Sequence, residues 1–237
     1  SPFKYNPTTN ELKITTKIEV KINFKNIDIV EHKLNQQKYY STEFDHLFKR
    51  CLNYIPLQKK DIITTYPVKY VIVADSDFQT ALQPLIDWKT RKGFVVIEAY
   101  TDDPLVGSSN DSIHSFLKDM YDNATASNPA PTYLLIVGDD AQVPSFSGNT
   151  GSHLSDMYYC EFDGGGDFYP EMYYGRLSAT NIAEVEVQVA KTLTYEKYTF
   201  NNTSFLDEIV LVAGVDASMA TVYGNGQINY GTDNYFN

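Results

Sequence analysis

The chain has little cysteine: its 237 residues include two, Cys51 and Cys160. Two thiols cannot build a disulfide scaffold and fall short of a thiolate zinc site. They read first as plain buried thiols. Basic residues are also scarce, with 19 Lys and Arg against 30 Asp and Glu and a formal net charge of -11. Binding a phosphate backbone needs basic patches, so no nucleic-acid partner is expected. No apolar run reaches the ~18 residues that suggest a membrane span. The chain begins Ser-Pro-Phe-Lys with no signal peptide, so an exported protein would already have lost it. No serine sits in a Gly-x-Ser-x-Gly elbow, and no Walker phosphate loop is present.

Tyrosine, by contrast, is abundant at 19. It supplies rigid apolar area with a polar tip, a feature common in secreted proteins and binding faces. The first segment alternates strictly. Leu12, Ile14, Thr16, Ile18, Val20, Ile22 and Phe24 interleave with Lys13, Thr15, Lys17, Glu19, Lys21 and Asn23. That period predicts one long strand with a buried and a wet face, of the kind found in antiparallel sheets, after a turn at Asn6–Asn10. Residues 26–66 are less regular. A helix is expected over Tyr40–Asn53, and Lys49-Arg50 and Lys59-Lys60 read as exposed basic pairs in a connection.

From residue 68 the pattern changes. Apolar strands are predicted at Tyr70–Ala74, Phe94–Ile97, Tyr133–Val137 and Ile209–Ala213, with a further strand at Met172–Tyr174. Between them helical spacing marks Phe78–Lys92, which stops at Gly93 and starts or kinks at Pro84, then Asp111–Tyr121, and a helix to Tyr198 capped by Thr180. Alternating apolar strands and helices specify an α/β fold, a parallel sheet with helices on both faces.

Ligands of open parallel sheets bind beyond the carboxyl ends of the strands. Acids recur there: Asp75, then Asp139 and Asp140, then Asp216. Convergence of several on one edge suggests a metal or catalytic site. The stretch from Asp163 to Glu171 carries oxygen donors at Asp163, Asp167, the Tyr169 carbonyl and Glu171, with glycines that let a loop wrap a hard cation such as calcium. Its spacing is not that of an EF-hand. The alternative is a plain hairpin tip.

Nucleophilic catalysis needs a base in reach of the nucleophile. Of four histidines, only His153 precedes Cys160 closely, and Cys160 sits in the run Met157-Tyr158-Tyr159-Cys160, which reads as a strand interior. The pair is a poor dyad. Gly224-Asn225-Gly226 is too far from a strand end for a dinucleotide fingerprint and reads as a surface loop.

Several motifs, in order, resemble the gingipain catalytic domain: Asp87-Trp88-Lys89-Thr90-Arg91-Lys92-Gly93, Thr132–Asp139 followed by Val143-Pro144, Ser155-Asp156-Met157-Tyr158-Tyr159, and Glu171–Arg176. The segment around Leu12–Phe24 is similar to the end of the pro-segment that precedes that domain. The resemblance implies a caspase-like α/β fold preceded by a β-strand segment of a pro-domain, with residues 1–66 as pro-segment end and linker and 67–237 as the front of the catalytic domain. It implies a secreted cysteine endopeptidase, extracellular or on a bacterial cell surface, that acts on protein or peptide substrates by a Cys-His mechanism. The catalytic Cys and His would lie beyond residue 237, in the remaining C-terminal part of the catalytic domain. Arg50 or Lys60 would be cut to release a latent zymogen.

The resemblance also carries residues over. Asp139, Asp167, Tyr169 and Glu171 match positions that hold structural calcium. Asp216 matches an acid that approaches the catalytic histidine, where it would orient the imidazole and stabilise its cationic form. Arginine-specific members place an Asp where this chain has Asn229, and an amide cannot supply the ion pair an arginine side chain needs. Two further classes stay open: a non-enzymatic calcium-stabilised α/β module in secretion or binding, and a metal-dependent hydrolase using Asp75, Asp139 and Asp216 directly.

Overall fold

A computed structural model describes residues 2–23, 25, 28–51, 67–148, 153–164, 168–210 and 223–235. The chain opens with an antiparallel hairpin, β1 (Phe3–Asn6) and β2 (Glu11–Ile14), closed by the turn at Asn6–Asn10, where Asn10 takes a positive φ of 55°. The long strand contracts to β2. Residues 15–23 form no strand, and their apolar side chains face solvent, with Ile18 at 70% and Val20 at 76% exposure. Alternation specifies which residues share a face. It does not supply a partner, and an isolated two-stranded hairpin is marginal in water.

The next elements are α1 (Ile29–Tyr39), a 3-10 turn at Thr42–Phe44, and α2 (Asp45–Phe48). The single helix expected over Tyr40–Asn53 is broken, because Tyr40 is extended (ψ 135°) and Ser41 caps the turn by accepting from the Glu43 N–H. Residues 52–66 lie outside the described residues.

The main sheet follows: β3 (Lys69–Ala74), α3 (Gln79–Arg91), β4 (Val95–Tyr100), α4 (Asn110–Asp122), β5 (Tyr133–Val137), β8 (Tyr173–Leu177) and α5 (Ile182–Lys197). A small hairpin, β6 (Phe146–Ser147) and β7 (Leu154–Ser155), lies between β5 and β8. The four long strands run in the order β4-β3-β5-β8, all parallel, with Tyr70 beside Tyr133 and Tyr133 beside Tyr173. Alternate residues feed two cores. Val71, Val73, Leu134 and Ile136 pack with Ile113 and Leu117 of α4, while Ile72, Ala74, Leu135 and Val137 pack with Leu82 and Leu85 of α3 and Val185 and Val189 of α5. Continuous apolar strands therefore lie buried between helices, as expected of a parallel α/β sheet.

Several boundaries shift. Helix α3 begins before Pro84 and runs through it, and Gly93 ends it at φ +95°. The cap of α5 is Asn181, which accepts from Glu184 N–H; Thr180 instead donates to the Glu184 carboxylate. The Met157–Cys160 run is a 3-10 turn, not a strand. Ile209 and Val210 are irregular and exposed, and the rest of the strand expected there lies outside the described residues. Gly224-Asn225-Gly226 falls in a helix, α6 (Tyr223–Tyr235), in place of the expected loop.

Candidate active-site edge and metal loop

The carboxyl ends of β3, β5 and β8 form one edge. Asp75, after β3, is committed locally: its carboxylate accepts from the Asp77 N–H at 2.9 Å and starts the next turn. After β5 the chain turns at Gly138, whose φ of +134° favours glycine, and the backbone N–H of Asp139 donates to the Ala179 carbonyl at 2.9 Å. The Asp139 carboxylate accepts from the Ser178 hydroxyl at 3.1 Å, and that of Asp140 from the Ser145 N–H at 2.8 Å.

Arg176, near the end of β8, organises this edge. It donates from Nε and Nη2 to both oxygens of Asp156, at 2.8 and 2.6 Å, and from Nη1 to the carbonyls of Gly138 and Val143, at 2.8 and 2.9 Å. One planar fork thus ties the loop after β5 to the turn before Met157, a task an ammonium group cannot do. Both residues stood in recognised motifs, but nothing in the sequence paired them. Asp216 lies outside the described residues.

The other candidates sit elsewhere. Glu171 precedes the amino end of β8, whereas Asp139 follows the carboxyl end of β5. The parallel register from Tyr133/Tyr173 to Val137/Leu177 separates them. The strand steps alone span roughly 13 Å, so one ion cannot take both side chains. Burial raises the Tyr121 phenol, helped by Glu171 and Asp163, and burial raises the Cys160 thiol, helped by Glu171, Asp156 and Glu161. The Glu171 carboxylate also accepts from the Phe162 N–H at 2.9 Å, which closes the loop on itself. Asp167 lies outside the described residues. Among the described residues, no three His, Cys, Asp or Glu are placed to hold a metal.

Cys160 is fully buried in the core on the α4 face. The His153 ring lies against Gly148 in the exposed β6–β7 hairpin, so the two form no dyad. His114 faces the Glu161 carbonyl at 3.0 Å between Phe146 and Phe162. Asn229 is exposed on α6.

Comparison with known proteins places this arrangement. Residues 63–236 match the model of Peptidase family C25. Lys-gingipain W83 of Porphyromonas gingivalis is 34% identical over 243 residues, covering 100% of this chain and 14% of that protein. Gingipain R1 of the same organism is 23% identical over 231 residues, covering 97% of this chain and 22% of that protein. A solved structure described as a protease superposes with a TM-score of 0.65 at 36% identity, over 74% of this chain and 38% of that one. The chain thus spans about a seventh of the length of the Lys-gingipain it matches, and its parallel sheet is the caspase-like sheet of a gingipain-type protease. The chain belongs to peptidase family C25, the gingipain-like cysteine peptidases.

Proposed function

We propose that the intact protein is a secreted cysteine endopeptidase, exported to the extracellular space or a bacterial cell surface, and that it cleaves protein or peptide substrates by a Cys-His mechanism. Residues 1–66 are the end of a latency-conferring pro-segment and its linker, and residues 67–237 are the front of the catalytic domain. The observation that carries this reading is family membership across residues 63–236, on a parallel sheet whose carboxyl edge Arg176 organises.

The nucleophile and histidine come from the remaining C-terminal part of the catalytic domain. Cys160 is unsuited: a thiolate is the reactive form, and burial among acids pushes this thiol up. Two surfaces suit coverage by that remainder. Among the described residues β8 pairs only with β5, leaving an edge. Separately, α5 carries an open groove of about 480 Å³ lined by Val187, Ala190, Thr194, Tyr195 and Phe200. Asp216 orients the histidine. The loop donors Asp167, Tyr169 and Glu171 hold a structural calcium, which Asp139 does not reach.

The test is thiol labelling of the full-length protein with iodoacetamide, followed by peptide mapping and a peptidase assay. Loss of activity with the label on one cysteine beyond residue 237 supports the reading. Labelling of Cys160 with loss of activity refutes the assignment, and absence of any thiol-dependent activity favours a non-enzymatic calcium-stabilised module.

A further inference from the structure

Helices α3 and α5 lie on one face of the sheet and finish together at the amino ends of the strands. Four basic residues gather there, Lys89, Arg91, Lys92 and Lys197, in a chain whose formal net charge is -11. Two of them are answered. Glu196 accepts from Lys89 Nζ at 2.6 Å and from Lys92 Nζ at 3.0 Å. The Trp88 indole N–H donates to the same carboxylate at 2.9 Å, so Glu196 is fully occupied. Among the described residues, Arg91 and Lys197 have no counter-charge, and both are exposed.

The two unanswered cations flank a crevice of about 180 Å³, lined by Pro84, Asp87, Trp88, Arg91 and Lys197. Trp88, the chain's single tryptophan, is half-buried there. The Lys197 ammonium stands over its ring, 5.0 Å from the centroid. The Asp87 carboxylate accepts from Gln83 Nε2 at 2.8 Å through Oδ1, and its second oxygen can accept another donor.

Each lining group has a counterpart in one kind of ligand. A pyranose ring presents an apolar C–H face, which lies well on a tryptophan ring and a proline. Its hydroxyls donate to a carboxylate such as Asp87. A carboxylate on the ring pairs with a guanidinium fork and an ammonium. The stem of Lys197 is flexible, so its ammonium can turn from the indole to that carboxylate and uncover the ring. A neutral sugar would leave both cations unanswered. An acidic peptide has no such ring for Trp88, and the crevice is smaller than the roughly 300 Å³ at which sites for drug-sized ligands begin.

We propose that this crevice binds an acidic sugar unit, a hexuronate ring of a polysaccharide. Arg91 and Lys197 take the carboxylate, Asp87 takes a hydroxyl, and Trp88 with Pro84 takes the C–H face. The site lies at the amino ends of the strands, opposite the carboxyl edge where parallel sheets bind ligands. A polysaccharide held there keeps the protein on an anionic glycan and leaves the carboxyl edge open.

The experiment is isothermal titration calorimetry of the full-length protein with a galacturonic acid trisaccharide. Maltotriose serves as the neutral counterpart and hexaglutamate as the acidic peptide. The acidic trisaccharide is expected to bind, and the other two are not. Arg91→Gln combined with Lys197→Gln is expected to weaken that binding by about tenfold or more, because two charge-assisted bonds are lost. Circular dichroism checks that this variant folds. If it does not, Lys197→Gln alone, at an exposed position, is expected to weaken binding by about threefold. Absence of trisaccharide binding would overturn the proposal, as would unchanged affinity in the substituted protein. Equal affinity for hexaglutamate or for maltotriose would overturn it too, since the crevice would then read charge alone or the sugar ring alone.

Discussion

The Lys89 ammonium lies 2.6 Å from Glu196 Oε1, and that bond locks α3 to α5 across one face of the sheet. Glu196 also accepts from Trp88 Nε1 at 2.9 Å and Lys92 Nζ at 3.0 Å, while Lys89 sits over the Tyr70 ring at 4.9 Å. Burial would raise the Glu196 carboxyl, but its three donors outweigh burial and hold it at about 2. The same carboxylate and burial push the Tyr70 phenol up to about 12, burial being the larger cause.

Acid should therefore loosen the contact between α3 and α5. The folded-state pKa of Glu196 is depressed from 4.5, so its contribution is full above pH 4.5 and is lost as pH falls from there towards 2. Glu196→Gln leaves Lys89 buried without its counter-charge, which costs about 3 kcal/mol at pH 7. Urea unfolding at pH 7, 5 and 3 measures both effects. The gap between native and variant should be widest at pH 7 and shrink by pH 3; a gap independent of pH would remove the assignment.

The Arg176 fork gives a second expectation. Arg176→Lys keeps the charge but cannot reach both Asp156 oxygens and the Gly138 and Val143 carbonyls together. It should cost nearly as much as Arg176→Ala, about 3 kcal/mol, because Asp156 then stays part-buried and poorly paired. Thermal unfolding of both variants decides the matter: full retention of stability in Arg176→Lys would show that charge suffices.

How far these features could be read from the sequence depends on how local their causes are. The strands Tyr70–Ala74 and Tyr133–Val137 were legible because burial on both faces leaves a continuous apolar run, and α4 because Ile113, Phe116, Leu117 and Met120 recur at helical spacing on one face. Strand β2 was overread. A period of two records which side chains share a face, while strand length depends on a partner such as β1 that the alternation does not contain. The cap of α5 was missed by one residue because Thr180 and Asn181 are both good caps, and Glu184 decides between them by engaging one with its side chain and the other with its N–H. The Arg176–Asp156 pair and the packing of Phe44 on Tyr173 join distant positions, and no local pattern encodes them. The run of oxygen donors from Asp163 to Glu171 is a matter of composition, whereas the separation of Asp139 from Glu171 depends on strand direction, which composition does not contain.

That separation yields a prediction for calcium. Calcium that binds only the folded protein raises its stability by about 2.7 kcal/mol at a hundredfold excess over Kd. Glu171→Gln should abolish the calcium-dependent rise in Tm, whereas Asp139→Asn should preserve it, because Asp139 lies beyond the opposite end of the strand. Differential scanning fluorimetry with EDTA and with added calcium tests both variants. Equal loss in the two would place Asp139 on the ion and contradict the register argument, and no calcium response in the native protein would remove the site.

Cys160 provides the sharpest contrast between structural and catalytic roles. Its thiol packs in the core among Tyr159, Phe162 and Met172, on the face that α4 covers. Cys160→Ala removes one buried sulfur and should cost about 1 kcal/mol, leaving peptidase activity of the full-length protein within about twofold at temperatures where it stays folded. Cys160→Ser puts a hydroxyl in the same apolar setting and should cost about 1–3 kcal/mol more if that group finds no partner. The serine variant should therefore be the less stable of the two although it is closer in shape to cysteine. A nucleophile would give the opposite pattern, with both substitutions abolishing turnover and neither needing to alter Tm. Activity and Tm measured side by side on the two variants separate these roles, since a packing thiol ranks native above Ala above Ser in stability while turnover stays level.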